Sequence, residues 1–600
     1  MRRNTASLVV SLVLAALLPA AGHALSATNS DKADLMLADM ALSRGDCRGG
    51  TERYLKAAQA TSDAKISERA NKVASDCQQV EASAKSARRW LKLEPDRAEA
   101  AAAVALAAVR LYKVSEAENA ILLTHKLGGD EALTKLIAEL SDAGGSAITL
   151  AAIRPLLDSP DVSDKLLTAG TDLALENFDF ATAHKYADRL LVNDPASGDA
   201  RAQLARVLTA EGDAVAAIAI SQEAGQLEPE TQRFAYADTL IRLDRLDEAR
   251  AELDSLRTDT ALRDEADLRL GKLAYQAGDM SEAGRRFGSL LSSPEVQGEA
   301  FFYLSSIAER EGRNDLALQG YTELLEHDAG GLLVRGRAAR LLMKKNDRKA
   351  AFQLLDEFAS KERSESLNVE FTKAALLEDL ASPGEAIALL QLALERYPNH
   401  PGVRMQIALT QEKAGKTKDS LRNFEALLKD RPDDASLQNA LGYSLADHNQ
   451  KLPRAEQLIR KALEASPDNP AFLDSLGWVR YRRGDAPGAI PLLEKAYRIF
   501  PDPEIASHWG ELLWVSGKQA EARALWARAL ARSPDAKALR ATIERLTGTR
   551  LEPEKPKASG EPGEPAAPDD EAPGDEAPGD AAPDDETPPE PVPTPSVTGS

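Results

Sequence analysis

Five prolines in the last third of the sequence stand at nearly equal distances. They lie 34, 35, 34 and 33 residues apart, at Pro398, Pro432, Pro467, Pro501 and Pro534. A fixed period of this length is typical of a repeat architecture, in which each unit packs only against its neighbours. The spacing therefore predicts a stack of small similar units rather than a few ordinary globular domains.

One unit carries the full design of the repeat. After Pro470 it contains, in order, Leu476, Gly477, a turn at Gly484 and Asp485, Ala489, Leu493, Ala496 and the closing Pro501. Small residues at Gly477, Ala489 and Ala496 allow two antiparallel helices to approach closely, and the leucines fill the space between them. A single pair cannot bury its apolar side, so the units must stack.

These positions resemble the tetratricopeptide repeat (TPR), a pair of antiparallel helices of about 34 residues. The match is regular over residues 401–534, and weaker marks in the same phase run through residues 25–400. The resemblance implies an all-α fold, a right-handed α-solenoid superhelix of 11 to 15 helix pairs, with divergent units near 97–160 and 329–362. Residues 535–547 read as a capping helix that covers the last exposed face.

The two ends of the sequence differ from this body. Residues 1–24 combine Arg2 and Arg3, an apolar stretch from Leu8 to Leu18 and small residues at Gly22 and Ala24, which is the layout of a secretory signal cleaved after Ala24. The apolar stretch is about half of the roughly 20 residues that a membrane span requires. We therefore expect export, without lipid attachment, since the first cysteine is Cys47.

The C-terminal segment, residues 548–600, is rich in proline and acidic residues. It contains 13 prolines and 14 acidic residues against two lysines and one arginine, and contributes more than half of the net charge of −21. A segment with so few apolar side chains cannot bury a core, so a disordered, solubilising or spacing tail is predicted. A role in gripping a basic partner or the cell wall is the alternative.

The two cysteines, Cys47 and Cys77, occupy the same place in the first two units, each in a turn. In an oxidising compartment a disulfide between them is plausible. Equivalent points of stacked units lie about 10 Å apart, however, whereas a disulfide needs Cα atoms within about 7 Å. A disulfide and two unpaired thiols both remain open.

Composition and motifs argue against several classes of function. A sequence pI near 5.0 disfavours nucleic-acid binding, and no apolar run approaches membrane length beyond the first 30 residues. The sequence has no phosphate-binding loop, no zinc or haem spacing and no nucleophile elbow. Histidines such as His400, His448 and His508 occur singly in different units. We therefore predict no enzyme activity and no cofactor or metal.

A curved array of helix pairs offers a long concave surface lined by the first helix of each pair. Transferring the inward-facing positions of TPR families to this sequence gives nine candidate protein-binding residues: Asn439, Tyr443, Asp447, Asp474, Trp478, Tyr481, Arg482, Glu511 and Trp514. Trp, Tyr and Arg are frequent anchors of protein interfaces. The alternative for Trp478 and Trp514 is packing against the neighbouring unit.

Three segments carry a narrower resemblance: 440–447, 473–479 and 501–506. They look like a group of exported repeat proteins of Gram-negative bacteria. That group includes an outer-membrane lipoprotein that acts as adaptor for a periplasmic carboxyl-terminal processing protease and brings it to peptidoglycan hydrolases. The early segments 54–58 and 89–95 fit the same group. The present chain departs from the lipoprotein, because it has no acceptor cysteine at the start of the mature protein.

Together these patterns predict a non-catalytic periplasmic scaffold that binds proteins in its groove. The specific version implied by the resemblance is an adaptor that recruits a periplasmic serine protease to peptidoglycan hydrolases. The alternative is a scaffold of exopolysaccharide export or of an outer-membrane assembly machinery. A lytic enzyme with a helical array is disfavoured, since the acidic tail stands where its catalytic domain would be.

Overall fold

The computed structural model describes residues 29–227, 229–327, 330–533 and 536–549. The chain divides into two compact units, Met1–Lys555 and Pro556–Ser600, and every described residue belongs to the first. The predicted signal segment 1–24 and residues 550–600 of the predicted tail lie outside the described residues. None of the helices in the described ranges is both long and apolar enough to span a bilayer.

The described ranges fold into thirty α-helices with two short 3₁₀ turns and no strand. In chain order the helices are α1 (Asn29–Ser43), α2 (Cys47–Ala60), α3 (Ala64–Asp76), α4 (Val80–Leu93), α5 (Ala98–Arg110), α6 (Val114–Asp142), α7 (Ser146–Leu157), α8 (Asp164–Glu176), α9 (Phe180–Asn193), α10 (Gly198–Glu211), α11 (Ala214–Leu227), α12 (Pro229–Arg242), α13 (Leu246–Leu256), α14 (Arg263–Ala277), α15 (Met280–Ser289), α16 (Gln297–Arg310), α17 (Asn314–Glu326), α18 (Gly331–Lys344), α19 (Arg348–Lys361), α20 (Ser366–Asp379), α21 (Pro383–Arg396), α22 (Pro401–Lys413), α23 (Thr417–Asp430), α24 (Ala435–Asp447), α25 (Leu452–Ala465), α26 (Pro470–Arg482), α27 (Ala486–Ile499), α28 (Pro503–Val515), α29 (Gln519–Arg532) and α30 (Lys537–Thr547).

These helices form fifteen antiparallel pairs within the described ranges, followed by α30, which packs against α28. The predicted all-α helical solenoid is confirmed. The predicted divergence near 97–160 takes a definite form: α6 joins the second helix of the third pair directly to the first helix of the fourth. Gly129, with φ 66° and ψ −163°, breaks the helical path at that point. In the other segment predicted to diverge, α18 and α19 form an ordinary pair.

The repeat is visible in the backbone as well as in the sequence. Each turn between the two helices of a pair contains a residue with positive φ, and these are 32 to 35 residues apart: Gly45, Gln78, Tyr112, Gly144, Phe178, Gly212, Asp244, Gly278, Gly312, Asn346, Ala381, Gly415, Asn449, Gly484 and Gly517. The turn at Asn449 contains a second such residue, Lys451. A left-handed residue ends a helix by turning the chain away from its axis. The aromatic residues Tyr112 and Phe178 are unusual here, since a side chain disfavours this conformation.

Close packing inside the pairs follows the small-and-large pattern of the sequence. A Cβ atom on Gly477 would lie 2.7 Å from Cγ of Leu493, and one on Gly442 would lie 2.6 Å from Cγ1 of Ile459. Glycine at these points therefore lets the two helices approach until the larger side chain touches backbone.

A disulfide joins Cys47, the first residue of α2, to Cys77, which follows α3. Their Cα atoms are 5.6 Å apart. The first two turns thus approach more closely than one helix diameter, and the geometry corresponds to the bridged alternative. The sulfur of Cys77 lies in the core of the first pairs, because the residue is only 2% exposed.

Replacing both cysteines by alanine is expected to destabilise the first two pairs by about 2 kcal/mol, because the cross-link restricts the unfolded chain. Hydrogen exchange should accelerate in α2 and α3 and remain unchanged in α26. Reduced wild-type protein is the matched comparison and should behave like the variant. Unchanged exchange in α2 and α3 would contradict the prediction.

Early helix pairs of the array also contact late ones. Hydrogen bonds join turns of early pairs (residues 42–244) to connections of late pairs (residues 363–532), across 286 to 347 residues of sequence. We call this contact the seam. The hydroxyl of Tyr112 donates to the carbonyl of Asp433 at 2.8 Å, and the backbone amide of Asp468 donates to the carbonyl of Phe178 at 2.9 Å. The first of these bonds gives Tyr112, at its left-handed turn position, a contact that glycine could not make.

The seam is polar. No hydrophobic cluster found in the described ranges contains residues from both of its sides. Further contacts across it are Gln79 Nε2 to the carbonyl of Arg396 and the Arg363 guanidinium to the carbonyl of Leu42. Such hydrogen bonds each contribute only about 1 kcal/mol. The early and late pairs are therefore held together across the seam much more weakly than adjacent pairs are.

Candidate protein-binding surface

The nine predicted binding residues lie on three successive first helices, α24, α26 and α28. These helices pack directly against one another, and α30 continues the row. Helices on the inside of a curved stack approach each other most closely, so we call the surface formed by α24, α26 and α28 the inner face. The second helices of the same pairs, α25, α27 and α29, lie behind it.

A buried cluster at the centre of the inner face connects the last three pairs. The ring of Trp478 stacks on the imidazole of His508, with centroids 4.3 Å apart and planes inclined by 21°. Nδ1 of His508 lies 2.9 Å from both carboxylate oxygens of Asp474. Tyr443 contributes a third ring, 6.0 Å from that of His508. Side chains from α24, α26 and α28 therefore meet around one histidine.

The electrostatics of this cluster favour a charged imidazole. Burial lowers the pKa of His508, but the charge and hydrogen bond of Asp474, together with the charges of Glu504 and Asp447, outweigh that effect. The net result is a pKa above the ordinary value for histidine. A buried, hydrogen-bonded ion pair of this kind costs several kcal/mol when one partner is removed.

Hydrogen bonds extend the cluster along the inner face. The hydroxyl of Tyr443 donates to Oε1 of Glu504 at 3.1 Å, and that of Tyr481 donates to Oε1 of Glu511 at 3.4 Å. Glu511 also accepts from the guanidinium of Arg545 on α30. The last helix is thus tied to the inner face by charge as well as by its apolar side.

The structure distributes the predicted residues between two environments. Trp478, Asp474 and Glu511 are buried, at 6%, 5% and 9% exposure. Trp478 therefore packs between units, which is the second of the two roles predicted for it, and its ring does not face a groove. Those with partly or fully exposed side chains are Asn439, Tyr443, Asp447, Tyr481, Arg482 and Trp514.

Trp514 is half-buried near the end of α28. Its ring lies 5.8 Å from that of the fully buried Trp526, and the guanidinium of Arg523 sits 5.0 Å from its centroid. Arg482 likewise lies over the ring of Trp478 at 5.6 Å. The accessible part of the inner face consequently presents aromatic edges and cations together.

Sequence reasoning missed His508, which it treated as an isolated histidine. Asp474 and His508 are 34 residues apart, one repeat, and so are Glu511 and Arg545. In a stacked array, residues one period apart face each other across the interface of neighbouring units. Searching for opposite charges at that spacing would have identified both pairs.

Comparison with known proteins identifies the type of repeat. A tetratricopeptide repeat model matches residues 268–331, 405–470 and 450–503, and a model of subunit 3 of the anaphase-promoting complex, cyclosome, matches residues 176–256. The segments 268–331 and 405–503 are TPR repeats. The match over 268–331 covers most of α14 to α17, two helix pairs, and that over 405–470 covers most of α22 to α25, two further pairs.

A TPR repeat-containing protein of Pseudomonas aeruginosa, PA4667, is 29% identical over 249 residues. The match spans 42% of this chain and 42% of the length of that relative.

Three solved structures are similar to parts of this chain. TTC0263, a thermophilic TPR protein from Thermus thermophilus, is 25% identical, covers 29% of this chain and 96% of its own, and has a TM-score of 0.27. A TPR protein from Parabacteroides merdae is 18% identical, with coverages of 41% and 97% and a TM-score of 0.29. The Cut9–Hcn1 hetero-tetramer of the anaphase-promoting complex is 12% identical, with coverages of 86% and 97% and a TM-score of 0.29.

TPR repeats imply a scaffold for protein–protein interaction, since a stacked array provides an extended surface for a partner. In the described ranges no group of three or more His, Cys, Asp or Glu side chains is arranged to hold a metal ion. Within the array, the half-exposed side chains of the inner face are the best candidates for contact with that partner.

Proposed function

We propose that this TPR protein is a non-catalytic adaptor of the periplasm, which recruits a carboxyl-terminal processing protease to peptidoglycan hydrolases. The partner docks on the inner face through Tyr481, Arg482 and Trp514, with Asp447 at the edge. The buried cluster around His508 does not touch the partner. It fixes the relative positions of the three helices that present these side chains.

The observation that carries the proposal is the composition of the accessible inner face. It places two aromatic rings, an arginine and an acidic residue on consecutive first helices, over a rigid buried cluster. Aromatic and arginine side chains on a preorganised surface are the typical hot spots of protein interfaces. The sequence resemblance to exported adaptors supplies the identity of the partners.

Two further features support an exported location. The arrangement of residues 1–24 is that of a secretory signal. The Cys47–Cys77 disulfide suits an oxidising compartment, because cytosolic thiols are kept reduced.

The test uses the mature protein as bait in a crosslinking pull-down from periplasmic extract, with partners identified by mass spectrometry. Arg482→Glu and Asp447→Lys are expected to reduce capture of the protease at least about tenfold, which corresponds to a loss of about 1.4 kcal/mol. The matched controls are Arg528→Glu and Glu464→Lys, which make the same changes at exposed positions of the second helices α29 and α25.

Two results would contradict the proposal. Equal capture by the inner-face variants and their controls would place the interface elsewhere. Recovery of exopolysaccharide-export or outer-membrane assembly proteins, with no protease, would favour the alternative scaffold function.

A further inference from the structure

The seam encloses a cavity of about 650 Å³ that is separate from the inner-face cluster. Its walls come from turns of the second to fifth pairs on one side and from the beginnings of α20, α22, α24 and α26 on the other. Its volume lies in the range of small-molecule sites, which are usually concave and partly apolar with a few converging polar groups. We call it the seam cavity.

Three basic side chains converge on this cavity: Arg110, Arg431 and His400. Arg110 ends α5 and donates to a neutral partner, the hydroxyl of Ser75, at 2.7 Å. Arg431 lies over the ring of Tyr112 at 4.6 Å and pairs with Asp434 at 2.6 Å. The cavity is thus lined by one arginine from an early helix pair, Arg110, and by one that precedes a late pair, Arg431.

His400 stands between the two arginines with unused hydrogen-bonding capacity. Its Nδ1 atom is buried and has no hydrogen-bond partner among the described residues, and the same holds for Nε of Arg431. Burial lowers the pKa of His400 to about 4, and the charges of Arg110 and Arg431 contribute to the decrease. The surroundings of this imidazole are therefore electropositive, and its ring is neutral near pH 7.

The acidic residues of the cavity are largely engaged elsewhere. Asp434 caps α24 through the amide of Leu437 and pairs with Arg431. Glu176 accepts from the hydroxyl of Ser146 at 2.7 Å. Asp142 also lines the cavity, and the charges of Glu139 and Asp76 act on Arg110, but no hydrogen bond or ion pair found in the described ranges joins a carboxylate to Arg110 or His400. Nε of Arg431, and Nδ1 of His400 in the tautomer that protonates it, are therefore donors without an acceptor in this cavity.

We propose that the seam cavity is a binding site for a small oxyanion, a phosphate or carboxylate group, held by Arg110, Arg431 and His400. Phosphate and carboxylate oxygens match the planar donors of arginine, and a neutral imidazole contributes one further N–H. Phe371, Met405 and Phe472 line other parts of the cavity. The ligand therefore carries an apolar group beside its anionic one.

Such a ligand would bridge the early and late pairs across the seam. Arg110 lies in an early helix pair, whereas His400 and Arg431 lie at the beginning of late pairs. Because the seam has no shared hydrophobic core within the described ranges, an anion held from both sides would strengthen it markedly. A ligand that binds only the closed seam stabilises that state in proportion to its occupancy.

The experiment measures binding of three probes to the full chain by calorimetry: inorganic phosphate, phenyl phosphate and phenylacetate. We expect saturable binding of phenyl phosphate, at least tenfold tighter than that of inorganic phosphate. Comparable binding of phenylacetate would identify a carboxylate as the natural group, and its failure would identify a phosphate. Absence of saturable binding for all three probes would overturn the proposal.

Arg110→Gln and His400→Gln are each expected to weaken binding of phenyl phosphate at least tenfold. The matched control Arg528→Gln, on the exposed surface of α29, is expected to bind like the wild type. Circular dichroism and thermal melting establish that each variant is folded. Equal affinity of the Arg110→Gln variant and the wild type would contradict the assignment of the site.

Hydrogen exchange provides a readout of the bridge itself. The amide of Asp468 donates across the seam to the carbonyl of Phe178, and phenyl phosphate is expected to slow its exchange. The amides within α15, far from the seam in sequence, are the internal reference. Binding without protection of Asp468 would contradict the bridging role.

Discussion

Replacing Gly510 by alanine is expected to destabilise the last pairs of the array by about 3 kcal/mol. Gly510 lies in α28 directly against the indole of Trp526, and a Cβ atom on it would overlap that ring. Trp526 is fully buried, and its Nε1 donates to the carbonyl of Ala506 at 3.1 Å. The indole therefore cannot move without losing packing and a hydrogen bond, and overpacking of this kind typically costs about 1 to 3 kcal/mol.

Gly284 provides the matched control for the same chemical change. It also lies inside a helix, α15, but a Cβ atom there would meet nothing within 4 Å. Alanine at this position is expected to stabilise its pair by up to about 1 kcal/mol, because alanine favours a helix over glycine. One substitution thus has opposite signs at two helical glycines, and only packing distinguishes them.

Local measurements are required, because repeat arrays unfold in parts rather than in one step. Hydrogen exchange in α28 and α29 should accelerate in the Gly510→Ala variant and remain unchanged in α15. In the Gly284→Ala variant, α15 should exchange more slowly and α28 should not change. Equal stability of α28 and α29 in wild type and Gly510→Ala would show that Trp526 can be displaced easily.

The repeat is the part of this molecule that the sequence predicts best. The prolines, the small residues such as Gly477 and the turn at Gly484 are local marks, and each records a close approach or a change of direction within one unit. Their spacing defines the units and the number of pairs. The positions expected to face inward follow from the same register, which is why the nine predicted residues fall on three successive first helices.

Features that depend on the sum of many repeats could not be predicted in this way. The seam forms because small rotations between successive pairs add up over roughly 300 residues of stacked units, and no local pattern encodes that sum. Tyr112 and Phe178 occupy turn positions at which eight of the fifteen units have glycine. The side chain of Tyr112 and the carbonyl of Phe178 contact the late pairs, and only the three-dimensional structure shows these contacts.

The same reasoning explains the buried environment of Trp478. TPR positions predict which residues point inward, but not how far a neighbouring unit covers them. His508, in the next unit, stacks on Trp478 and leaves 6% of it exposed. A bulky residue at one inward position is thus concealed by a bulky residue of the next repeat, whereas Tyr481 and Arg482 stay partly accessible.

The ion pair of Asp474 and His508 makes the stability of the last three pairs depend on pH. The pKa of His508 is raised in the folded protein, whereas an exposed histidine in the unfolded chain titrates near 6.5. The folded state therefore binds the proton more tightly. The resulting stabilisation is complete below about pH 6.5 and is lost as the pH rises through the higher pKa of the folded state.

Asp474→Asn is expected to remove this dependence and to destabilise α26 and α28 by about 3 kcal/mol at pH 6, since it leaves a buried histidine without its counter-charge. Hydrogen exchange in these helices, corrected for its intrinsic pH dependence, should vary between pH 6 and 8 in the wild type and remain nearly constant in the variant. His327→Asn, a change at an exposed histidine, is the control and should retain the wild-type profile. A wild type whose helices become more stable as the pH rises from 6 to 8 would contradict the raised pKa, because the proton would then bind more tightly to the unfolded chain.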